Sequence, residues 1–190
     1  LLSEVNSCRI YEILAKGSSK KLCAKVFKKP KVKGSDTSNI ERIFNELRVL
    51  RRIAEKSKYF VQFHEVHENK KNVYIIMQFV QGKNLLIIHN LGLLPVEEEL
   101  RCLLKQCLIA LKHLHDSGVV FRDLKPESIV LKNIGKPSAS NHIKLVGYNN
   151  CLMLDQGFRQ SKNQISDANL QGTLGFIAPE VINPKITDSR

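Results

Sequence analysis

A charged turn between two short apolar runs limits most strongly what this chain can fold into. The segment VVFRDLKPESIVL, Val119–Leu131, begins and ends with residues typical of buried strands. Moving charges away from water costs free energy unless partners or a function compensate for it. The segment therefore indicates a charged site at the edge of a core. Four charged residues lie in the turn: Arg122, Asp123, Lys125 and Glu127.

The first eighty residues have the pattern of a small β-sheet with one helix. Short β-type runs occur at Ile10–Ala15 and Leu22–Phe27, and a second hairpin pattern occurs at Phe60–Val66 and Asn72–Gln78. Between the two pairs, apolar residues recur at helical spacing after Ser38–Glu41, which has the pattern of a capping box. This part of the chain is therefore predicted to be β-rich.

After the short linker Gln81-Gly82-Lys83 the pattern becomes mainly helical. Glu97–Glu99 lie in a predicted first turn, where the helix dipole favours acidic residues, and a seven-residue apolar face follows from Leu100 to Leu114. Two short strands are predicted at Ile129–Leu131 and Ile143–Val146. A β-rich first part and a helical second part predict the α+β fold class.

The net charge of +12 arises from 30 lysines and arginines against 18 acidic residues, and many of the lysines lie between Lys16 and Lys33. Such a cluster could contact nucleic acid, an acidic protein or anionic lipid. The alternative is a solvated, lysine-coated sheet edge. The cluster has neither the interleaved aromatic residues of a base-stacking platform nor zinc-finger spacing, the two patterns typical of nucleic-acid-binding modules.

The five cysteines form no C-x-x-C pair, which favours reduced thiols over a disulfide framework. The first ten residues lack the charged start and apolar run of a signal peptide, and no apolar run approaches the length of a membrane span. These features predict an intracellular protein, either cytoplasmic or nuclear.

Several motifs, in the expected order, resemble the eukaryotic protein kinase family. Phe121–Glu127 is similar to the catalytic loop, and Gly172-Thr173 with Ala178-Pro179-Glu180 is similar to the end of the activation segment. Cys23-Ala24-Lys25 is similar to the strand that carries the phosphate-holding lysine, and Glu46 is similar to the partner of that lysine. The resemblance covers nearly the whole chain and points to the Ser/Thr class, closest to calmodulin-dependent-type kinases.

The resemblance implies a bilobal kinase-like fold. Residues 1–80 would form the β-rich N-lobe, residues 81–84 the hinge, and residues 85–190 the first part of the mainly helical C-lobe, through the Ala-Pro-Glu motif. A kinase domain continues beyond that motif with several further helices. The resemblance therefore also implies that this chain is a fragment or is truncated at its C-terminus.

The resemblance implies roles for individual residues. Asp123 would accept or orient the substrate hydroxyl proton, Lys125 would steady the transferred phosphoryl group, and Thr173 would lock the two together. ATP is the implied ligand, with the ion pair of Lys25 and Glu46 beside its phosphates. The rest of the nucleotide site would be formed by Ile10, Cys23, Met77, Val80, Asn84 and Val130.

Two further groups of residues match the family. Arg122 would face a phosphate on the activation loop, for which Ser161 and Ser166 are candidate sites. An apolar column that links the two lobes would be formed by Leu50, Phe63, Phe121 and Tyr148.

The chain departs from the family where magnesium is normally held. Gly147-Tyr148-Asn149 stands in place of the D-F-G triplet, and Ser128 stands in place of the metal-binding asparagine. No acidic residue occurs between Glu127 and Asp155. Magnesium is therefore not expected to bind in the family manner, because a neutral hydroxyl is a weak ligand for a hard cation. The three glycines of the phosphate-covering loop are also replaced, by Ser3, Val5 and Cys8.

These departures favour a pseudokinase, that is, a regulatory or scaffolding module that acts on a protein partner and binds nucleotide weakly or without metal. One alternative is an active Ser/Thr kinase with unorthodox metal handling, for which Asp155 would be a substitute ligand. A second alternative is a basic binder of nucleic acid or anionic surfaces that acts through the Lys16–Lys33 cluster.

Overall fold

This computed structural model describes residues 1–5, 8–29, 37–93, 95–132, 142–154 and 172–182. The first part folds as a five-stranded antiparallel sheet with the strand order β1-β2-β3-β5-β4. Helix α1 (Thr37–Arg52) connects β3 to β4. The strands are β1 (Ser3–Val5), β2 (Cys8–Leu14), β3 (Lys21–Lys28), β4 (Phe63–Glu68) and β5 (Asn72–Gln78).

Helix α1 presents one face to the core of the protein. Ile43, Leu50 and Ile53, which follows the helix, are buried at helical spacing, and Glu46 lies on the same face. Phe44 is one of the apolar residues that recur at helical spacing after Ser38–Glu41, but it is 55% exposed because it lies about 100° around the helix from Ile43. The side chain of Ser38, predicted to cap the helix, is outside the described part of the chain.

The second part combines helices with short strand pairs. Strands β6, β8 and β9 form one small sheet, and β7 pairs with β10. No described helix is long and apolar enough to cross a membrane. The elements are β6 (Lys83–Asn84), α2 (Leu85–Asn90), α3 (Glu97–Asp116), β7 (Val119–Val120), β8 (Ile129–Leu131), β9 (Ile143–Leu145), β10 (Leu152–Met153) and α4 (Pro179–Ile182).

The long helix predicted from the apolar repeat is confirmed as α3, but its apolar face is only partly covered. Leu103, Cys107 and Leu114 are buried, whereas Leu104 and Leu108 are 63% and 66% exposed. The seven-residue face is therefore wider than the surface that the described elements cover.

The two parts of the structure are joined by backbone and side-chain contacts between the segment just before β4 and strand β9. The amide of Leu145 donates to the carbonyl of Tyr59 at 2.9 Å, and Lys144 Nζ donates to the carbonyl of Phe60 at 2.8 Å. Burial lowers the pKa of Lys144. Most of the buried apolar residues of the two parts belong to one hydrophobic cluster.

The connection between β5 and β6 passes close to strand β8. A Cβ atom at Gly82 would overlap the backbone carbonyl of Leu131, so this position accepts only glycine without a shift of the backbone. The close approach aligns β6 with β8, in which Lys83 lies opposite Leu131 and Asn84 opposite Val130.

The apolar column that the resemblance implies is present in the packing. Leu50, Phe121 and Tyr148 are almost completely buried, and Phe63 is half-buried against the same cluster. The rings of Phe121 and Tyr148 meet edge to face, with their centroids 5.9 Å apart. The Tyr148 hydroxyl donates to the carbonyl of Leu145 at 2.7 Å, which satisfies the polar atom that tyrosine adds to this column.

We expect Tyr148→Phe to lower the free energy of unfolding by about 1 kcal/mol, because the buried carbonyl of Leu145 loses a hydrogen bond while the ring packing stays. Urea unfolding followed by circular dichroism measures the change. The matched control is Tyr59→Phe, because the Tyr59 ring is buried but its hydroxyl makes no hydrogen bond to any described residue. Equal losses in the two variants would contradict the assigned role of the Tyr148 hydroxyl.

Candidate functional site

The centre of the first part is an ion pair between strand β3 and helix α1. Lys25 Nζ lies 2.6 Å and 2.8 Å from the two carboxylate oxygens of Glu46. The side chains are 13% and 2% exposed, so each charge is removed from most of the water. A carboxylate buried to this extent needs its cation, and the pair therefore fixes the position of α1 against the sheet.

Four residues predicted for the nucleotide site lie on one face of the sheet. Ile10 lies opposite Lys25, and Cys23 lies opposite Met77, in the antiparallel register. Because directly opposed residues share a face and side chains alternate along a strand, all four point to the side that carries α1. Burial raises the pKa of the Cys23 thiol to about 11, so the thiol is protonated.

The remaining predicted nucleotide residues lie around the connection to the second part. Val80 is half-buried against the core, and Val130 lies opposite Asn84 across β6 and β8. The structure gives Asn84 a further role that the sequence pattern did not indicate, because its side-chain oxygen accepts from the amide of Ile87 at 2.9 Å and caps helix α2.

The structure brings together the three residues that the resemblance implies to be catalytic. The Thr173 hydroxyl donates to Asp123 Oδ1 at 2.7 Å, and Lys125 Nζ donates to Thr173 Oγ1 at 2.6 Å. Lys125 Nζ also lies 3.4 Å from Asp123 Oδ2. Thr173 lies 50 residues from Asp123 along the chain, so this arrangement depends on the fold.

The second oxygen of Asp123 is also occupied, by a residue that the sequence pattern did not identify. Asn150 Nδ2 donates to Asp123 Oδ2 at 3.0 Å. Burial alone would raise the pKa of Asp123, but the hydrogen bonds from Thr173 and Asn150 and the charge of Lys125 outweigh burial and hold the pKa below its ordinary value. Asp123 is therefore ionised at neutral pH, with hydrogen-bond donors on both carboxylate oxygens.

Arg122 contacts the segment that follows Gly147. Its Nε donates to the carbonyl of Asn150 at 2.7 Å and its Nη2 to the carbonyl of Cys151 at 3.4 Å. Burial lowers the pKa of Arg122. The candidate phosphorylation sites Ser161 and Ser166 lie outside the described residues.

The two positions where the family holds magnesium do not fit a metal ion. The Ser128 hydroxyl donates to the carbonyl of Lys125 at 2.7 Å and accepts from the amide of Lys125 at 3.0 Å, so it closes its own turn. Gly147 has no side chain. Across the described ranges, no three His, Cys, Asp or Glu residues are grouped so that they could hold a metal ion. Asp155, the alternative ligand, lies outside those ranges.

The three positions that match the glycines of the phosphate-covering loop carry side chains in this protein. Cys8 lies opposite both Val5 and Phe27 at the start of β2, its side chain is buried, and burial raises its pKa to about 11. Ser3 is exposed on β1. A buried side chain at position 8 takes the space that a glycine would leave open for close approach of the backbone.

Several lysines of the basic cluster are neutralised. Lys21 lies 2.6 Å from Glu12, and Lys29 lies 2.7 Å from Glu68. Lys25 is held by Glu46, as described above. Lys31 and Lys33 lie outside the described residues. These ion pairs reduce the free positive charge that the cluster offers to an anionic partner.

Comparisons with known proteins agree with the motifs. The chain is 27% identical over 176 residues to a probable serine/threonine-protein kinase of Dictyostelium discoideum. The aligned residues cover 92% of this chain and 35% of that protein. It is 32% identical over 169 residues to a calcium/calmodulin-dependent protein kinase type 1 of Macrobrachium nipponense. Here the aligned residues cover 88% of this chain and 44% of the relative.

Human ribosomal protein S6 kinase alpha-6 is 33% identical over 125 residues, which cover 66% of this chain and 15% of that protein. The chain thus spans less than half the length of each of these relatives. The family model of the protein kinase domain matches residues 5–190. Ser/Thr kinases are among the relatives of the chain, and its α+β structure begins with a β-sheet. The chain therefore belongs to the protein kinase domain family.

Proposed function

We propose that this domain is a pseudokinase: a kinase-shaped regulatory or scaffolding module that acts on a protein partner and binds a nucleotide weakly or without metal. The proposal rests on the two positions where the family holds magnesium, because neither of them offers a ligand for the metal. Ser128 uses its hydroxyl to close a turn, and Gly147 offers no ligand atom. Phosphoryl transfer relies mainly on positioning and on neutralisation of charge, so this deficit affects the chemical step directly.

The size of the expected defect follows from transition-state energetics. Metal ions contribute several kcal/mol to the stabilisation of a phosphoryl-transfer transition state, and about 4 kcal/mol corresponds to about three decades of rate. Asp123 and Lys125 remain in place, but neither supplies the divalent charge that is missing. We therefore expect at most a residual rate.

The arrangement of Lys25 supports weak nucleotide binding that does not need metal. An ammonium group has three donors, and Glu46 accepts two of the hydrogen bonds from Lys25. One donor remains for a phosphate oxygen. Ile10 and Met77 supply apolar surface on the same face of the sheet, which suits the adenine ring of ATP.

An active Ser/Thr kinase is the second candidate, and one observation favours it. Asp123, Lys125 and Thr173 keep the hydrogen-bonded arrangement expected of a working catalytic loop, and Asp123 is ionised. Retention of this network is also compatible with a structural role, because each of its polar atoms needs a partner when it is partly buried.

A thermal-shift titration with ATP separates the two candidates at the binding step. We expect a small rise in melting temperature that is the same with magnesium and with EDTA, because the Ser128 hydroxyl closes its own turn and Gly147 has no side chain to bind the metal. Lys25→Met should abolish the rise, since it removes the donor to phosphate. A rise that appears only with magnesium would support the enzyme instead.

A phosphotransfer assay with radiolabelled ATP tests the chemical step. We expect incorporation no greater than that of Asp123→Asn, with either magnesium or manganese and a generic basic peptide as acceptor. Turnover that is clearly above background and is lost in Asp123→Asn would falsify the pseudokinase proposal.

A further inference from the structure

The 3₁₀ turn Tyr148–Asn150 lies between helix α1 and the catalytic loop. Asn45, on α1, donates from Nδ2 to the carbonyls of Asn149 and Cys151 at 3.3 Å and 2.7 Å. Arg122, in the catalytic loop, donates to the carbonyl of Asn150 from the other side. The turn is thus held by hydrogen bonds from both neighbours.

One side chain of this turn reaches both neighbours. Arg42 Nη2, on α1, donates to Asn150 Oδ1 at 3.2 Å, and Asn150 Nδ2 donates to Asp123 Oδ2 at 3.0 Å. Asn149 Nδ2 also donates to Asn150 Oδ1, at 3.1 Å. Asn150 is 8% exposed, so water competes little for these bonds. Among the hydrogen bonds of the described residues, no other side chain joins α1 to Asp123 directly.

The chemistry of an amide explains why asparagine suits this position. The partially negative oxygen of Asn150 faces the guanidinium of Arg42, and its partially positive nitrogen faces the carboxylate of Asp123. Each hydrogen bond is assisted by a full charge on one partner, and the two bonds polarise the same amide in the same direction. Loss of either end therefore weakens the bond at the other end.

We propose that Asn150 is a positioning residue that couples the placement of helix α1 to the carboxylate of Asp123. When α1 lies against the sheet, Arg42 aligns the amide and Asp123 Oδ2 is covered. An outward movement of α1 would withdraw Arg42 and weaken the hydrogen bond from Asn150 to Asp123 Oδ2. The coupling uses only side chains of this chain, so it does not depend on nucleotide, on metal or on the function proposed above.

Hydrogen exchange measured by mass spectrometry on the whole chain tests the coupling. We expect Arg42→Met to raise the exchange rate at least threefold in the catalytic loop, residues 121–128, although Arg42 has no hydrogen bond to any residue of that loop. The matched control is Arg48→Met, which removes an exposed arginine from the same helix. Peptides of strand β5 report on the global fold and should not change.

The coupling must act through position 150. In an Asn150→Leu background, Arg42→Met should produce no further rise in exchange at residues 121–128. If Arg42→Met leaves the loop within twofold of the wild type, or raises exchange in β5 as much as in the loop, the coupling is refuted. A rise of the same size in both backgrounds refutes the assignment to Asn150.

Asn150→Asp provides a second test that does not depend on the stability of the leucine variant. The carboxylate keeps an acceptor for Arg42 but cannot donate to Asp123. We expect exchange in α1 to stay within twofold of the wild type while exchange in the catalytic loop rises at least threefold. Equal exchange in the loop of the wild type and of Asn150→Asp would overturn the proposal.

Discussion

Replacing Gly147 with aspartate should give this domain magnesium-dependent binding of ATP, at least tenfold tighter with the metal than with EDTA. The backbone at Gly147 has φ 86° and ψ 58°, in the left-handed region that aspartate and asparagine tolerate better than other side chains. A Cβ atom there would meet no heavy atom within 4 Å, apart from those of Gly147 and its two neighbours in the chain. The change therefore adds a hard, anionic oxygen ligand without repacking the site, and a factor of ten needs only about 1.4 kcal/mol.

Isothermal titration calorimetry with ATP, in magnesium and in EDTA, measures this gain. The matched control is Gly17→Asp, which makes the same change of charge at another open position with positive φ, in the turn between β2 and β3. We expect no magnesium dependence in Gly17→Asp or in the wild type. If Gly147→Asp folds but its affinity is the same in both buffers, the missing aspartate is not what prevents metal binding.

Glu46→Ala should lower the free energy of unfolding by about 3 kcal/mol, the largest loss of stability that we expect from any charged residue that the structure describes. The substitution leaves Lys25, whose side chain is only 13% exposed, without its counter-charge, and it opens a gap under helix α1. Breaking a buried pair costs far more than the pair contributes in net stability, because the remaining charge stays desolvated.

Urea unfolding measures this loss, and the chain offers a matched control in a second lysine–glutamate pair. Lys29 and Glu68 lie 2.7 Å apart, but Glu68 is 72% exposed, so water screens this pair and Glu68→Ala should cost far less than Glu46→Ala. Similar losses in both variants would show that burial does not give the Lys25–Glu46 pair its importance. Glu46→Ala should also loosen α1, visible as faster hydrogen exchange in residues 37–52.

Much of the fold could be predicted from periodicity. The alternating runs became strands β2, β3 and β5, and the apolar repeat became helix α3. The predicted strand at Phe60–Val66 begins only at Phe63, because residues around Phe60 are buried and pair with Leu145 of β9. That pairing is a tertiary contact, which a local pattern cannot reveal.

Helix α2 was not predicted, because its six residues are too few to show a helical period. Its start is nevertheless determined by a local signal, the side-chain cap of Asn84. The same polar residue type is common in turns and in ligand sites, so its presence does not distinguish a helix start from a binding residue.

The candidate site could be predicted only where a motif identified it. Lys125 and Thr173 are 48 positions apart, and only the resemblance to a family placed them together. Asn150 carried no such signal, since two adjacent asparagines are unremarkable in a polar segment. Its importance arises from Arg42, 108 positions earlier in the chain, and from Asp123, and only the folded structure brings these charges to its two ends.

The partial burial of Cys23 determines how the face of the sheet that carries Lys25 would respond to electrophiles. With a thiol pKa of about 11, only about one molecule in ten thousand carries the reactive thiolate at pH 7. Acrylamides and chloroacetamides, which alkylate thiolates, would therefore label this residue slowly even when they fit beside it. A ligand for this face of the sheet would have to rely on shape and on reversible contacts rather than on a covalent bond to sulfur.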